Sequence, residues 1–123
     1  MRSLHRDLHR AREDDVNEAL DPQAEVVCVG EALWDFYAPA DTPLALAESL
    51  RMNPGGGAVN VARGLARLGL RAGLCAALGD DPVGKALAAR IAADGVDLSR
   101  AAFVRARTGL VIMASAPPGA VAY

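Results

Sequence analysis

The chain has 123 residues, enough for one domain and too few for two ordinary ones. Hydrophobic residues make up 52%, so a sizeable core can be buried, while a net charge of −2 and 4% aromatics argue against a nucleic-acid surface. No apolar run is long enough to span a bilayer and the N-terminus lacks the apolar stretch of a secretory signal, so the expectation is a cytoplasmic protein without nucleic-acid or membrane partners.

Residues 1–24 read as a charged N-terminal extension, expected to be flexible, with Leu4, Leu8 and Leu20 its main apolar points. His5 and His9 have the i, i+4 spacing of helical metal ligands, but no third ligand accompanies them and no metal is expected. The folded part, residues 25–123, opens on "VVCVG", a continuous apolar run that predicts a strand buried on both faces. "EALWDFYAPADTPLALAESLRMNP" carries Pro and Asp breaks and predicts short strands or loops. Val61, Leu65 and Leu68 then recur at helical spacing ahead of Gly69, which predicts a helix with that face inward.

"AGLCAALG", residues 72–79, reads as a second buried strand. In "DDPVGKALAARIAADG", Asp81 can cap a helix, Pro82 fits its first position, and Val83, Leu87 and Ile91 mark its inner face as far as Gly95. "GLVIMASAPPGAVAY" predicts a strand, a Pro-Pro-Gly turn and the start of a return strand. Strands alternating with helices imply an α/β fold with a parallel sheet. Cys28 and Cys75 sit in apolar runs without a CxxC partner, and read as core thiols of a reducing compartment.

Two glycine motifs invite a phosphate-binding reading. Gly55, Gly57 and Asn60 fall on the spacing of G-x-G-x-x-G, but the fingerprint needs a strand immediately before it, and "AESLRMNP" is polar and ends in Pro. "GDDPVGKA" has the spacing G-x-x-x-x-G-K, with Ala86 where a hydroxyl would hold magnesium. Asp80 and Asp81 would set negative charge against phosphate, and Pro82 removes an N–H; a capped helix start fits better.

Taken together, "NPGGGAVNVARGLARLG", "GEALWDFYAP" and "LGDDPVGKALAARIAADGVDLS" resemble the PfkB-type, ribokinase-like carbohydrate kinases, in their fructokinase-like branch. The likeness runs in order from about Val26 onward. It implies the N-terminal, sugar-binding part of a three-layer α/β/α sandwich with a small β lid. It also implies ATP-dependent phosphorylation of a sugar hydroxyl, with ATP and Mg2+ as cofactors and scope for a homodimer through the lid. By the same resemblance Asp35, Gly55, Gly56 and Asn60, with the adjoining Gly57, match the positions that bind sugar.

The chemistry suits that role. A carboxylate accepts from neighbouring hydroxyls, an amide donates and accepts, and bare glycine backbone lets a ring approach closely. Asn60 has a competing reading as a helix cap. Leu33 stands where ribokinases carry Asn, and "GGGAVN" departs from the fructokinase-like "GGAPAN", so the sugar stays open. The family's catalytic Asp belongs to a G-A-G-D motif that does not occur here, and its ATP-binding segments belong to the C-terminal half. The expectation is therefore a truncated kinase chain holding neither a catalytic residue nor the ATP site, or else an inactive sugar-binding or interaction module.

Overall fold

The computed structural model describes residues 24–113. In chain order these form β1 (Val26–Val29), β2 (Leu33–Tyr37), a short 3-10 turn (Leu44–Leu46), β3 (Arg51–Gly55), α1 (Gly57–Arg67), β4 (Ala72–Cys75), β5 (Ala77–Gly79), α2 (Pro82–Ala93), β6 (Ala102–Val104) and β7 (Gly109–Met113). The histidine pair and the Pro-Pro-Gly turn lie outside the described residues.

Three small sheets result. β1 pairs in parallel with β4, and β5 in parallel with β6. The third has the order β3-β2-β7, with β3 antiparallel and β7 parallel to β2. This mixed sheet is the lid-like element. Pro54 is tolerated in β3 because β3 is an edge strand, where a missing N–H breaks no ladder. Asp97 stitches β4 to the chain leaving α2, accepting from the Leu74 N–H at 2.9 Å and donating to the Ala72 carbonyl at 2.8 Å.

The core gathers Trp34, Val59, Ala62, Leu74, Leu78, Leu87, Ile91 and Val96 between the sheets and the two helices. α1 ends as its sequence predicts. Gly69 has φ +87°, its N–H reaches the Ala66 carbonyl, and the Leu70 N–H reaches the Leu65 carbonyl, the paired bonds of a Schellman stop.

Several sequence expectations are corrected here. α1 buries Val59 and Ala62, with Leu65 and Ala66 against the core, while Val61 and Leu68 face outward at 55% and 79% exposure. Alanines carry part of the inner face, so large residues alone mislead about its direction. α2 likewise buries Gly84, Leu87 and Ile91, whereas Val83 is exposed. β1 is not buried on both faces: Cys28 points inward, and Val26, Val27 and Val29 are exposed. "AGLCAALG" is two strands, broken at Ala76, because its halves pair with different partners. An unbroken apolar run carries no sign of such a change. β6 had no sequence signal, and its three residues are all exposed.

Candidate functional site

Asp35 lies at the middle of β2, with Asn53 directly opposite on β3 and Val111 on β7. Alternation along the strand sends Trp34 into the core and Asp35 to the other face. The Trp34 indole N–H donates to the Val83 carbonyl at 3.0 Å, which fixes β2 against the first turn of α2. Asp35 is nevertheless only 9% exposed.

Its close neighbour is Gly55, diagonal to it across the β2–β3 pair. A Cβ on Gly55 would overlap the Asp35 carboxylate, whose atoms are the three nearest to that position. Gly56 has φ +102°, a conformation that favours glycine, and a Cβ there would collide with the Glu31 carbonyl. Gly57 opens α1 with nothing within 4 Å of the place a Cβ would take. Two of the three glycines thus have local reasons to be bare, and the first makes room for a carboxylate of the same sheet.

Asn60 is not the helix cap. Gly56 holds that position, without a side-chain cap, and Asn60 sits one turn inside α1, exposed, with its backbone N–H on the Gly56 carbonyl at 2.9 Å. The structure therefore brings Asp35 and Gly55 into contact, leads Gly56 and Gly57 away in the same turn, and presents Asn60 on the surface beyond. The first N–H groups of α1 have no intrahelical partner by geometry and no capping side chain.

Burial pushes the Asp35 carboxyl above its usual pKa; the Tyr37 hydroxyl, on the same strand face, opposes this, and the charge of Glu31 adds to it. This carboxylate accepts no backbone N–H among the described residues. Arg63 fixes the glycine turn from behind. Its Nε donates to Asp94 at 2.5 Å, and its other arm donates to the Pro54 carbonyl at 3.2 Å, one residue before Gly55. An open cavity of about 400 Å³ lies at the other end of the β2–β3 pair, lined by residues including Tyr37, Ser49 and Arg51, and does not include Asp35.

The G-x-x-x-x-G-K segment does not form a phosphate cradle. In "GDDPVGKA" the Gly84 N–H donates to Asp81 at 2.7 Å and Lys85 pairs with Asp80 at 3.0 Å, so the groups a phosphate would need are engaged. No cluster of three metal-ligating side chains occurs among the described residues. No helix among them is long and apolar enough to cross a membrane.

Sequence reasoning missed Asn53, Arg63 and Glu31. Period-2 counting from Gly55 could have found Asn53, whereas Arg63 and Glu31 act through tertiary contacts that leave no local pattern.

Residues 23–118 match the profile described as pfkB family carbohydrate kinase. The chain belongs to this family. Fructokinase-1 of Oryza sativa subsp. japonica is 42% identical over 90 residues, covering 72% of this chain and 28% of the rice protein. A crystal structure of a PfkB protein from a Polaromonas species superimposes with a TM-score of 0.73 at 36% identity, over 81% of this chain and 35% of the other. A Pyrococcus horikoshii sugar kinase solved in complex with ATP gives 0.71 at 26% identity, over 79% and 32%. The fold is that of the ribokinase-like PfkB kinases. The chain spans about a quarter of the length of the curated relatives it matches, 28% for the first two and 23% for others such as fructokinase of Escherichia coli.

Proposed function

We propose that this PfkB chain is the acceptor-binding part of a fructokinase-like, cytoplasmic sugar kinase that transfers a phosphoryl group from ATP to a sugar hydroxyl. One observation carries the reading: Asp35, buried at 9% exposure, is cradled against the bare backbone of Gly55 with no backbone N–H on its oxygens. Two acceptor oxygens held this way suit adjacent hydroxyls of a sugar ring. Gly56 and Gly57 leave the start of α1 unshielded, so its first N–H groups can donate to sugar oxygens, and the Asn60 amide serves the ring's far side. The fructokinase relatives support fructose as the first sugar to test.

In this reading Asp35 orients the acceptor and the glycine turn excludes water beneath it. Both are contributions of position, which phosphoryl transfer requires above all. ATP and Mg2+ would supply the transferred group and neutralise its charge, from segments other than those described. The test is titration of the chain with D-fructose, followed by NMR or calorimetry, beside Asp35→Asn. Saturable binding that the substitution weakens at least tenfold supports the reading. Equal binding by both proteins would end it.

A further inference from the structure

The segment Gly79–Gly84 carries a second constellation, which the sugar site does not use. Asp81 caps α2, as its sequence predicts, but the same carboxylate reaches across 27 residues to Thr108. It accepts from the Thr108 N–H at 2.9 Å and from the Thr108 hydroxyl at 2.7 Å, in addition to the Gly84 N–H. The niche that receives Thr108 is made by two glycines. A Cβ on Gly79 would stand 2.6 Å from the Thr108 hydroxyl oxygen, and one on Gly84 would stand 2.7 Å from it. Of the two glycines of the G-x-x-x-x-G-K spacing, Gly79 is thus accounted for first by Thr108, and Gly84 by the Gly79 carbonyl together with the Thr108 hydroxyl.

Thr108 is the residue before β7. Gly109 pairs with Leu33 at the start of β2, and two residues on Val111 pairs with Asp35. Among the described residues β7 is an edge strand whose only partner is β2. The Asp81 carboxylate therefore holds the point at which the chain leaves the α/β body and enters the lid sheet. We infer that Asp81 and Thr108 form a latch that seats β7 beside β2 and so positions Asp35 for its ligand.

Asp81 is a positioning residue in this account, since its side-chain hydrogen bonds go to Gly84 and Thr108 and not to the residues of the sugar site. The inference rests on the sugar-binding reading only for its effect on ligand; the seating of β7 stands on the hydrogen bonds.

The experiment uses the full chain with Thr108→Val, which keeps the shape and the backbone N–H but deletes the hydroxyl, and Thr108→Ser, which restores it. Amide hydrogen exchange is read over residues 109–113 and over β4, and D-fructose binding is titrated. Emission of Trp34, the sole tryptophan, checks that the core is intact. The expected result is exchange at least tenfold faster in β7 with β4 unchanged, weaker fructose binding, and return of both in Thr108→Ser.

Unchanged β7 exchange in Thr108→Val overturns the latch, as does equal acceleration of β7 and β4, which would mean general destabilisation. Should Thr108→Val fail to fold, Asp81→Asn is measured in the same way, and the same two outcomes decide. If the unsubstituted chain binds no fructose, the sugar reading fails, while the exchange comparison still decides the seating of β7. If β7 exchange responds and fructose binding does not, the positioning part of the inference is overturned.

Discussion

Asp35 and Asp81 are both aspartates beside a glycine, and they could hardly be more differently served. Asp81 accepts three hydrogen bonds from Gly84 and Thr108, and these hold its pKa down to about 2. Asp35 is buried, accepts no backbone N–H among the described residues, and has its pKa raised by that burial. A carboxylate whose lone pairs are filled by its own fold is doing structural work. One desolvated without such donors costs stability and keeps acceptors for a visitor. The sequence put Asp35 in a segment of short strands or loops and Asp81 at a helix cap, and composition does not tell the two carboxylates apart.

The sharpest way to break this contrast is Gly55→Ala. The added methyl overlaps the Asp35 carboxylate, whose atoms are the three nearest to it, so strain of about 1–3 kcal/mol and loss of fructose binding are expected. Gly55→Ala combined with Asp35→Ala should regain the melting temperature without regaining binding. A double variant as unstable as Gly55→Ala would show that the glycine serves something other than the carboxylate. Next in size is Asp35→Asn. Hydrogen bonds to charged groups contribute about 1.5–3 kcal/mol, so fructose affinity should fall on the order of ten- to a hundredfold while thermal stability holds or rises.

Arg63→Lys comes third. Its single ammonium cannot reproduce the fork that spans Asp94 and the Pro54 carbonyl, and about 1–2 kcal/mol of stability should be lost in chemical denaturation. Acid titration then separates the two aspartates by sign. The Asp81 contribution is full above the ordinary value of 3.8 and disappears as pH falls toward 2. Asp35 works the other way, because its raised pKa favours the protonated form in the folded state, so falling pH relieves it. Melting temperatures of both Asp81→Asn and Asp35→Asn should therefore converge on that of the unsubstituted chain as pH falls from about 6 toward 2, Asp81→Asn from below and Asp35→Asn from above. The smallest effect is expected at Val61→Ala, an exposed position whose change should stay within about 0.5 kcal/mol.

Much of the fold was legible where local chemistry decides it. The Asp81 cap, Pro82 at the first helical position, Gly69 and Gly95 as stops, and the strand at Val26–Val29 are all set by neighbours in sequence. The family followed from several motifs in one order, and the α/β class from the alternation of elements. What escaped depends on distant partners: the break at Ala76, the inner face of α1, and the reach of Asp81 to Thr108. The reason for Gly55 was also hidden, since only the folded sheet reveals that the methyl it lacks would fall on Asp35.

The alternation along β2 has a consequence for how such a protein can change over generations. Leu33, Asp35 and Tyr37 share one face of the strand, while Trp34 and Phe36 serve the core on the other. Backbone pairing to β3 and β7 is indifferent to which side chains occupy the first face. A lineage can therefore exchange residues 33, 35 and 37 and explore new ligands, one substitution at a time, while the residues that hold the strand in register stay as they are.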